Sequence, residues 1–215
     1  VRTNNLDINA SWLEAAYVEG DFIPLNSLSY IYEKSKDYDI KYVLAIINSF
    51  LMNKYYRAYY TDVNVKPAYL SKLPIPKIPI NEQQKFINKT DSLTKLLEFS
   101  LDKKTKFFNR IRSSFGIEKI NNKLLKFEEM SFFTFLDEIK KIKKIDMKPQ
   151  DEEIWEDYFN ERKSELVKLN EDIKNIQYEI DNLVYNLYNI TENEKRIIEE
   201  NVKWNYSVYY LFFLF

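Results

Sequence analysis

Residues 166–187 read "LVKLNEDIKNIQYEIDNLVYNL", and within them Leu166, Leu169, Ile173, Ile176, Ile180, Leu183 and Leu187 recur at alternating spacings of three and four. An apolar residue every 3.5 positions draws a seam along one side of a helix, the pattern of helices that pair side by side. Trp155 and Phe159 extend the stripe backwards, so the spacing predicts one helix from Asp151 to about Asn189. At 1.5 Å of rise per residue that is a rod on the order of 55 Å long. A single seam needs a partner. Residues 81–114 offer one, with Phe86, Leu93, Leu97, Phe108 and Ile111 near the same repeat, although Thr90, Ser100 and Lys104 interrupt it.

Other elements are punctuated by residues with defined mechanics. Asn81 followed by Gln84, and Thr191 followed by Glu194, have the spacing of a capping box, and Ser131 can cap "FFTFLDEIKKIKK". The segment "LPIPKIPI", residues 73–80, cannot donate regular ladder bonds and reads as an extended connector. Upstream, Ile40, Val43, Leu44, Ile47 and Leu51 predict a helix capped by Asp37 or Asp39 and running to about Tyr60. Pro67 suits the first turn of a further short helix. Residues 15–35, "AAYVEGDFIPLNSLSYIYEKS", nearly alternate in polarity around Gly20 and Pro24, which predicts short strands and turns. The expected fold is α+β and mainly helical. A small mixed α/β head, residues 1–80, precedes a long antiparallel, coiled-coil-like helical stalk, residues 81–201. The aromatic tail, residues 202–215, receives no role.

Composition removes whole classes of chemistry. The chain has no Cys and no His, which excludes disulfides, thiolate nucleophiles, Cys/His zinc sites and imidazole bases. Two glycines, Gly20 and Gly116, leave no Gly-rich phosphate loop. No apolar run reaches the roughly 20 residues of a membrane span. Abundant Lys, Asn and Ile without Cys suggests a cytoplasmic microbial protein, and a start at Val1 suggests a piece of a longer one. Glu138-Ile139-Lys140 and Asp146-Met147-Lys148 have the acidic-x-Lys spacing of some nuclease centres, but such pairs arise constantly in Lys/Glu-rich helices, and no suitably placed Pro-Asp precedes them. No catalytic residue and no metal site is assigned.

Charge is uneven. Residues 54–112 hold 13 Lys and Arg against 5 Asp and Glu, net +8, either the solvated face of long helices or a footprint for a polyanion. The candidates for DNA contact lie in "NKYYRAYYTDVNVKPAYLSKL", residues 53–73. Tyr59 and Tyr60 can stack on bases, and Lys54 and Arg57 can hold phosphates or guanine edges. Asn64 lies in the polar turn, Tyr69 on the short helix, and Lys66 and Lys72 flank that helix as phosphate contacts. Tyr55 continues the apolar stripe and reads as core.

In order, "DIKYVLAIINSFLMNKYYRAYY", residues 39–60, and "KPAYLSKLPIPKIPINEQQKFI", residues 66–87, resemble the core of DNA target-recognition domains. The likeness is to the TaqI-like C-terminal specificity domain of type IIG restriction enzymes and adenine-specific DNA methyltransferases, and to half of a type I specificity subunit. Asn48-Ser49 before a variable contact loop, Leu73 to Pro76, and Glu82-Gln83 opening a long helix carry it, with "FIPLNSLSYIY" before and "IDNLVYNLYNITENE" after. The resemblance implies a reader of double-stranded DNA and not a catalyst. No cofactor belongs to the reader itself. An N-terminal methyltransferase or nuclease module would bring S-adenosylmethionine, and Mg2+ if the parent also cleaves. A reading from a different class is a coiled-coil protein–protein interaction module with no direct DNA role, motivated by the seam at 166–187.

Overall fold

The computed structural model describes residues 13–21, 28–60, 65–145 and 147–200. Among them are seven α-helices: α1 (Ile40–Ile47), α2 (Phe50–Tyr59), α3 (Pro67–Leu70), α4 (Ile80–Phe115), α5 (Phe132–Ile142), α6 (Pro149–Leu187) and α7 (Glu192–Glu199). The chain forms two compact units, one from residues up to Lys95 and from Lys174 onward, the other from Leu96 to Ile173. Helices α4 and α6 each contribute residues to both. No helix among the described residues is long and apolar enough to cross a membrane.

In the first unit the expected mixed α/β head is corrected. The described residues contain no sheet, only an isolated bridging residue at Glu14. The physical reason is that side chains take the place of a neighbouring strand. Asn48 accepts the Ala15 N–H at 2.9 Å and donates to the Ala15 carbonyl at 2.8 Å. Asn53 accepts the Leu13 N–H at 2.7 Å. These amides satisfy the backbone groups that a ladder would otherwise satisfy. Farther along, the Ser29 hydroxyl donates to the Val65 carbonyl at 2.8 Å.

The helix expected over 40–60 is interrupted at Asn48–Ser49. Ser49 is the N-cap of α2: its Oγ accepts the Met52 N–H at 3.2 Å and donates to the Ile46 carbonyl at 2.7 Å. Asp39 caps α1 through the Lys41 N–H. Pro67 opens α3, and the capping box of Thr191 and Glu194 opens α7. The α4 helix begins at Ile80, one residue before the cap expected at Asn81.

The connector before α4 shows where proline-rich backbone finds partners. The Pro76 carbonyl accepts from the Tyr42 hydroxyl at 2.8 Å, the Pro74 carbonyl from Tyr188 at 2.5 Å, and the Ile78 carbonyl from Gln83 Nε2 at 3.0 Å. Gln83, fully buried, also donates to the Asp37 carbonyl and accepts the Asp39 N–H. A second buried polar anchor, Asp181 on α6, accepts the Phe50 N–H at the start of α2 at 2.8 Å. A carboxyl there meets an unpaired donor and the positive end of a helix dipole.

The second unit is an aromatic core. Phe107, Phe108 and Ile111 of α4, Phe135 and Ile139 of α5, Phe159 and Leu166 of α6, and Phe127 from the 3-10 turn Leu124–Glu129 pack together. Inside this unit α4 and α6 run antiparallel: Lys103 pairs with Glu165 at 3.0 Å, while Phe115, later in α4, meets Trp155, earlier in α6, at 4.6 Å between centroids. Lys104, read from sequence as an interruption, holds a buried position and pairs with Glu128 at 2.5 Å. Gly116 ends α4 at φ +60, a left-handed conformation that suits glycine, and Lys143 Nζ donates to its carbonyl.

Candidate nucleic-acid interface

The candidate surface belongs to the first unit and is built on α2, α3 and the extended segment before α1. Phe50, Met52, Asn53 and Tyr56 form the buried face of α2. Helical spacing therefore turns Lys54, Arg57 and Ala58 toward the other side, one turn apart. Lys54 and Arg57 are half-buried, and Ala58 is exposed. Burial lowers the pKa of Lys54, with the Arg57 charge adding to the effect, and burial likewise lowers Arg57. Two like charges in a partly desolvated setting gain from an approaching anion, because the anion offsets both causes.

The tyrosines separate into two groups. Tyr55 and Tyr59 are ring neighbours along α2, 4.6 Å between centroids, and Tyr59 is 68% exposed. Tyr55, read as core, is half-buried. The second group ties α2 to α3. Buried Tyr56 lies 5.0 Å from Tyr60, and Tyr60 stacks on Tyr69 at 4.5 Å and 20°. Lys66 Nζ closes this row, 5.3 Å from the Tyr69 ring centroid and 3.4 Å from its hydroxyl. Tyr60 thus has an aromatic neighbour on either hand and is built into the scaffold, whereas Tyr59 presents its ring outward.

Lys72 is exposed in the turn after α3. With only four residues, α3 has too short a dipole to make its N-terminus an anion site, so Lys66 and Lys72 act there as point charges. Asn64 lies outside the described residues. The structure accordingly gathers Tyr60, Lys66 and Tyr69 into one cluster, places Lys54 and Arg57 together on α2, and leaves Lys72 and Tyr59 as exposed contributions.

Two aromatic residues absent from the sequence reading join this surface. Tyr30 and Tyr32 are 67% and 66% exposed, with ring centroids 6.2 Å apart. The bond from Ser29 to Val65 sets their segment beside Lys66. Tyr30 and Tyr32, at i and i+2 of extended chain, share a side, and Ile31 between them is exposed as well.

Comparison with known families gives two matches along the chain. The model of the TaqI-like C-terminal specificity domain matches residues 7–75, so the resemblance read from the sequence holds over that segment. It gives the segment a role in DNA sequence specificity of the restriction–modification type, with DNA as its partner. Every candidate residue above falls inside the match. Residues 79–184 match a domain of unknown function, DUF8810. No curated protein and no solved structure matches the chain.

Proposed function

We propose that the chain is the target-recognition part of a restriction–modification or phage-defence DNA adenine methyltransferase, and that the outer side of α2, the exposed Tyr30 and Tyr32, and Lys66 and Lys72 near α3 face the duplex. The observation that carries the reading is the coincidence of the specificity-domain match at 7–75 with this aromatic and basic surface. Lysines and Arg57 hold phosphates and set the register, and Tyr59, Tyr30 and Tyr32 supply flat contacts to bases or sugars. The methyl transfer belongs to a separate module, which binds S-adenosylmethionine and acts on a flipped adenine. The helices that follow the connector space reader and catalyst.

A coiled-coil interaction module is the competing class. Burial of Leu166 and Leu169 inside the aromatic core of the second unit supports internal use of that part of the seam. The test is selection from a randomised duplex library by the 215-residue chain, with Arg57→Ala and Lys72→Ala alongside. Enrichment of a short motif, reduced by both changes, is the expected result. Binding that is absent, or insensitive to salt between 50 and 200 mM, would sink the reading, since neutralised phosphates must release counterions.

A further inference from the structure

Charge is sharply divided within the second unit. Residues 103–144 hold 12 Lys and Arg against 5 Asp and Glu, net +7, while residues 149–173 of α6 hold 3 against 9, net −6. Lys103, Lys104 and Lys106 pair with Glu165, Glu128 and Asp102, and the fold gathers part of the remaining positive share at one place. Glu138 of α5 accepts from Lys141 at 2.7 Å, from Lys123 at 3.4 Å and from Asn121 at 3.2 Å, which brings the 121–123 turn against α5. Lys143, just beyond α5, donates to the Gly116 carbonyl at the end of α4, and Arg112 reaches the Glu118 carbonyl at 3.4 Å. The ends of α4 and α5 and the turn between them therefore meet. Exposed Lys119, Lys140 and Lys144 stand on the same stretches.

Part of this charge has a structural use. Cations in the last turn of α5 complement its dipole, Lys143 caps α4, and Lys123 and Lys141 neutralise Glu138. Lys119 and Lys144 are left over by that accounting, and Lys140 is used only through the α5 dipole. Glu118 and Glu129 are the exposed acids on these stretches. Most of the side chains exposed on these stretches are cationic, with Ile142 as an exposed apolar one among them. The chemistry of this surface suits a broad, repetitive polyanion, with no means of discriminating a sequence.

We propose that this basic end of the second unit, formed by Lys119, Lys140 and Lys144 with Lys123, Lys141 and Lys143 behind them, is a second DNA contact that grips the sugar–phosphate backbone of the duplex without reading it. The inference rests on the reading of the chain as a DNA-binding specificity module. It gives the region matching a domain of unknown function a task of its own: sequence-independent affinity, beside the selectivity carried by α2 and α3.

The test uses the 215-residue chain, a fixed 30-base-pair duplex carrying the selected motif, a scrambled duplex, and heparin. Lys119→Gln/Lys140→Gln/Lys144→Gln is compared with wild type and with Arg57→Ala from 50 to 300 mM salt. Each neutralised phosphate contributes about 0.9 to the slope of log affinity against log salt. The triple variant is expected to lower that slope by about 2 to 3 and to weaken both duplexes by the same factor, about tenfold or more at low salt. Its thermal midpoint should fall only slightly, because of the three lysines Lys140 alone stands in the last turn of α5, where a cation complements the helix dipole. Arg57→Ala is expected instead to narrow the ratio between the two duplexes. If wild type binds, Arg57→Ala alters selectivity and the triple variant keeps slope and affinity, the second contact is overturned and the reader stands. Loss of heparin binding with duplex binding intact also overturns it. If wild type binds neither duplex, both readings fall.

Discussion

Phe107 in the second unit lies against Phe127, Phe135, Tyr158 and Phe159, with the Phe127 ring stacked 3.9 Å away, whereas the segments of the first unit are fastened by the side chains of Asn48, Asn53, Gln83 and Asp181 reaching for backbone atoms. Apolar packing is non-directional, so the second unit tolerates shifts of a ring but not the loss of its volume. Hydrogen bonds to backbone are directional, so the first unit can hold irregular chain in one conformation without a sheet. A surface made of an extended segment and a one-turn helix, as proposed for DNA contact, needs such fastening, because its backbone has no ladder to lean on.

The largest expected effect is in the aromatic core. Phe127→Ala removes a fully buried ring between Phe107 and Phe159. It should lower unfolding stability by about 3–5 kcal/mol, the usual range for a core Phe. Urea unfolding followed by far-UV circular dichroism gives the number. A loss below about 1 kcal/mol would mean that the core is not the close-packed cluster described here.

Asp181 sharpens the contrast from the other side. Burial, opposed by the bond from Phe50, pushes its carboxyl up to about 7, and its Oδ2 has no partner among the described residues. The folded chain therefore holds this proton more tightly than the unfolded one. The resulting stability is complete below pH about 4 and is lost as pH rises through about 7. Asp181→Asn keeps an acceptor for the Phe50 N–H and does not ionise. The variant should gain on wild type across that window, by about 2–4 kcal/mol at pH 8. Parallel stability curves for the two proteins from pH 4 to 8 would show that the carboxylate is comfortably solvated, and the account of the first unit would fail there.

Asn53→Ala should cost about 1–3 kcal/mol, since it strands a buried N–H at Leu13 and withdraws a donor from the Ile47 and Ser49 carbonyls. Amide exchange makes this prediction local. Leu13 should exchange faster by a larger factor than amides of α5, and a uniform increase across both units would argue against a local clamp.

The two interiors also differ in how much of them the sequence discloses. A stripe survives substitution of single members, so α4 and α6 were readable from their periods even though Thr90, Ser100 and Lys104 looked like interruptions. They occupy stripe positions after all, buried, and Lys104 is matched by Glu128 from a different element. Nothing local to Lys104 announces a partner 24 positions away. Asn48, Asn53 and Gln83 are harder still, because an amide that clamps distant backbone is spelled the same way as one on a surface. Of the region where strands were expected, residues 15–21 and 28–35 form none and Ala15 meets the Asn48 side chain, while residues 22–27 lie outside the described residues. On the candidate surface, the pairing of Lys54 with Arg57 follows from helical spacing alone. The stack of Tyr60 on Tyr69 depends on how the chain closes between α2 and α3, and the outward face of Tyr30 and Tyr32 on the bond from Ser29 to Val65, neither of which a period encodes.

Smallest of the expected effects, and the most specific to the first unit, is Tyr42→Phe. The ring stays buried against Phe86, edge to face at 5.2 Å, so no packing is removed. What disappears is the hydroxyl that donates to the Pro76 carbonyl. Burial raises the pKa of that hydroxyl to about 12, so it is a donor throughout the neutral range. Losing it should cost about 1 kcal/mol, a typical net hydrogen bond. Tyr188→Phe removes the equivalent donor at Pro74. The two carbonyls belong to one connector, so the double variant should lose less or more than the sum of the singles, by about 0.5 kcal/mol or more. Additive losses would mean that the connector is held at two independent points, and that its prolines, not the tyrosines, keep it straight.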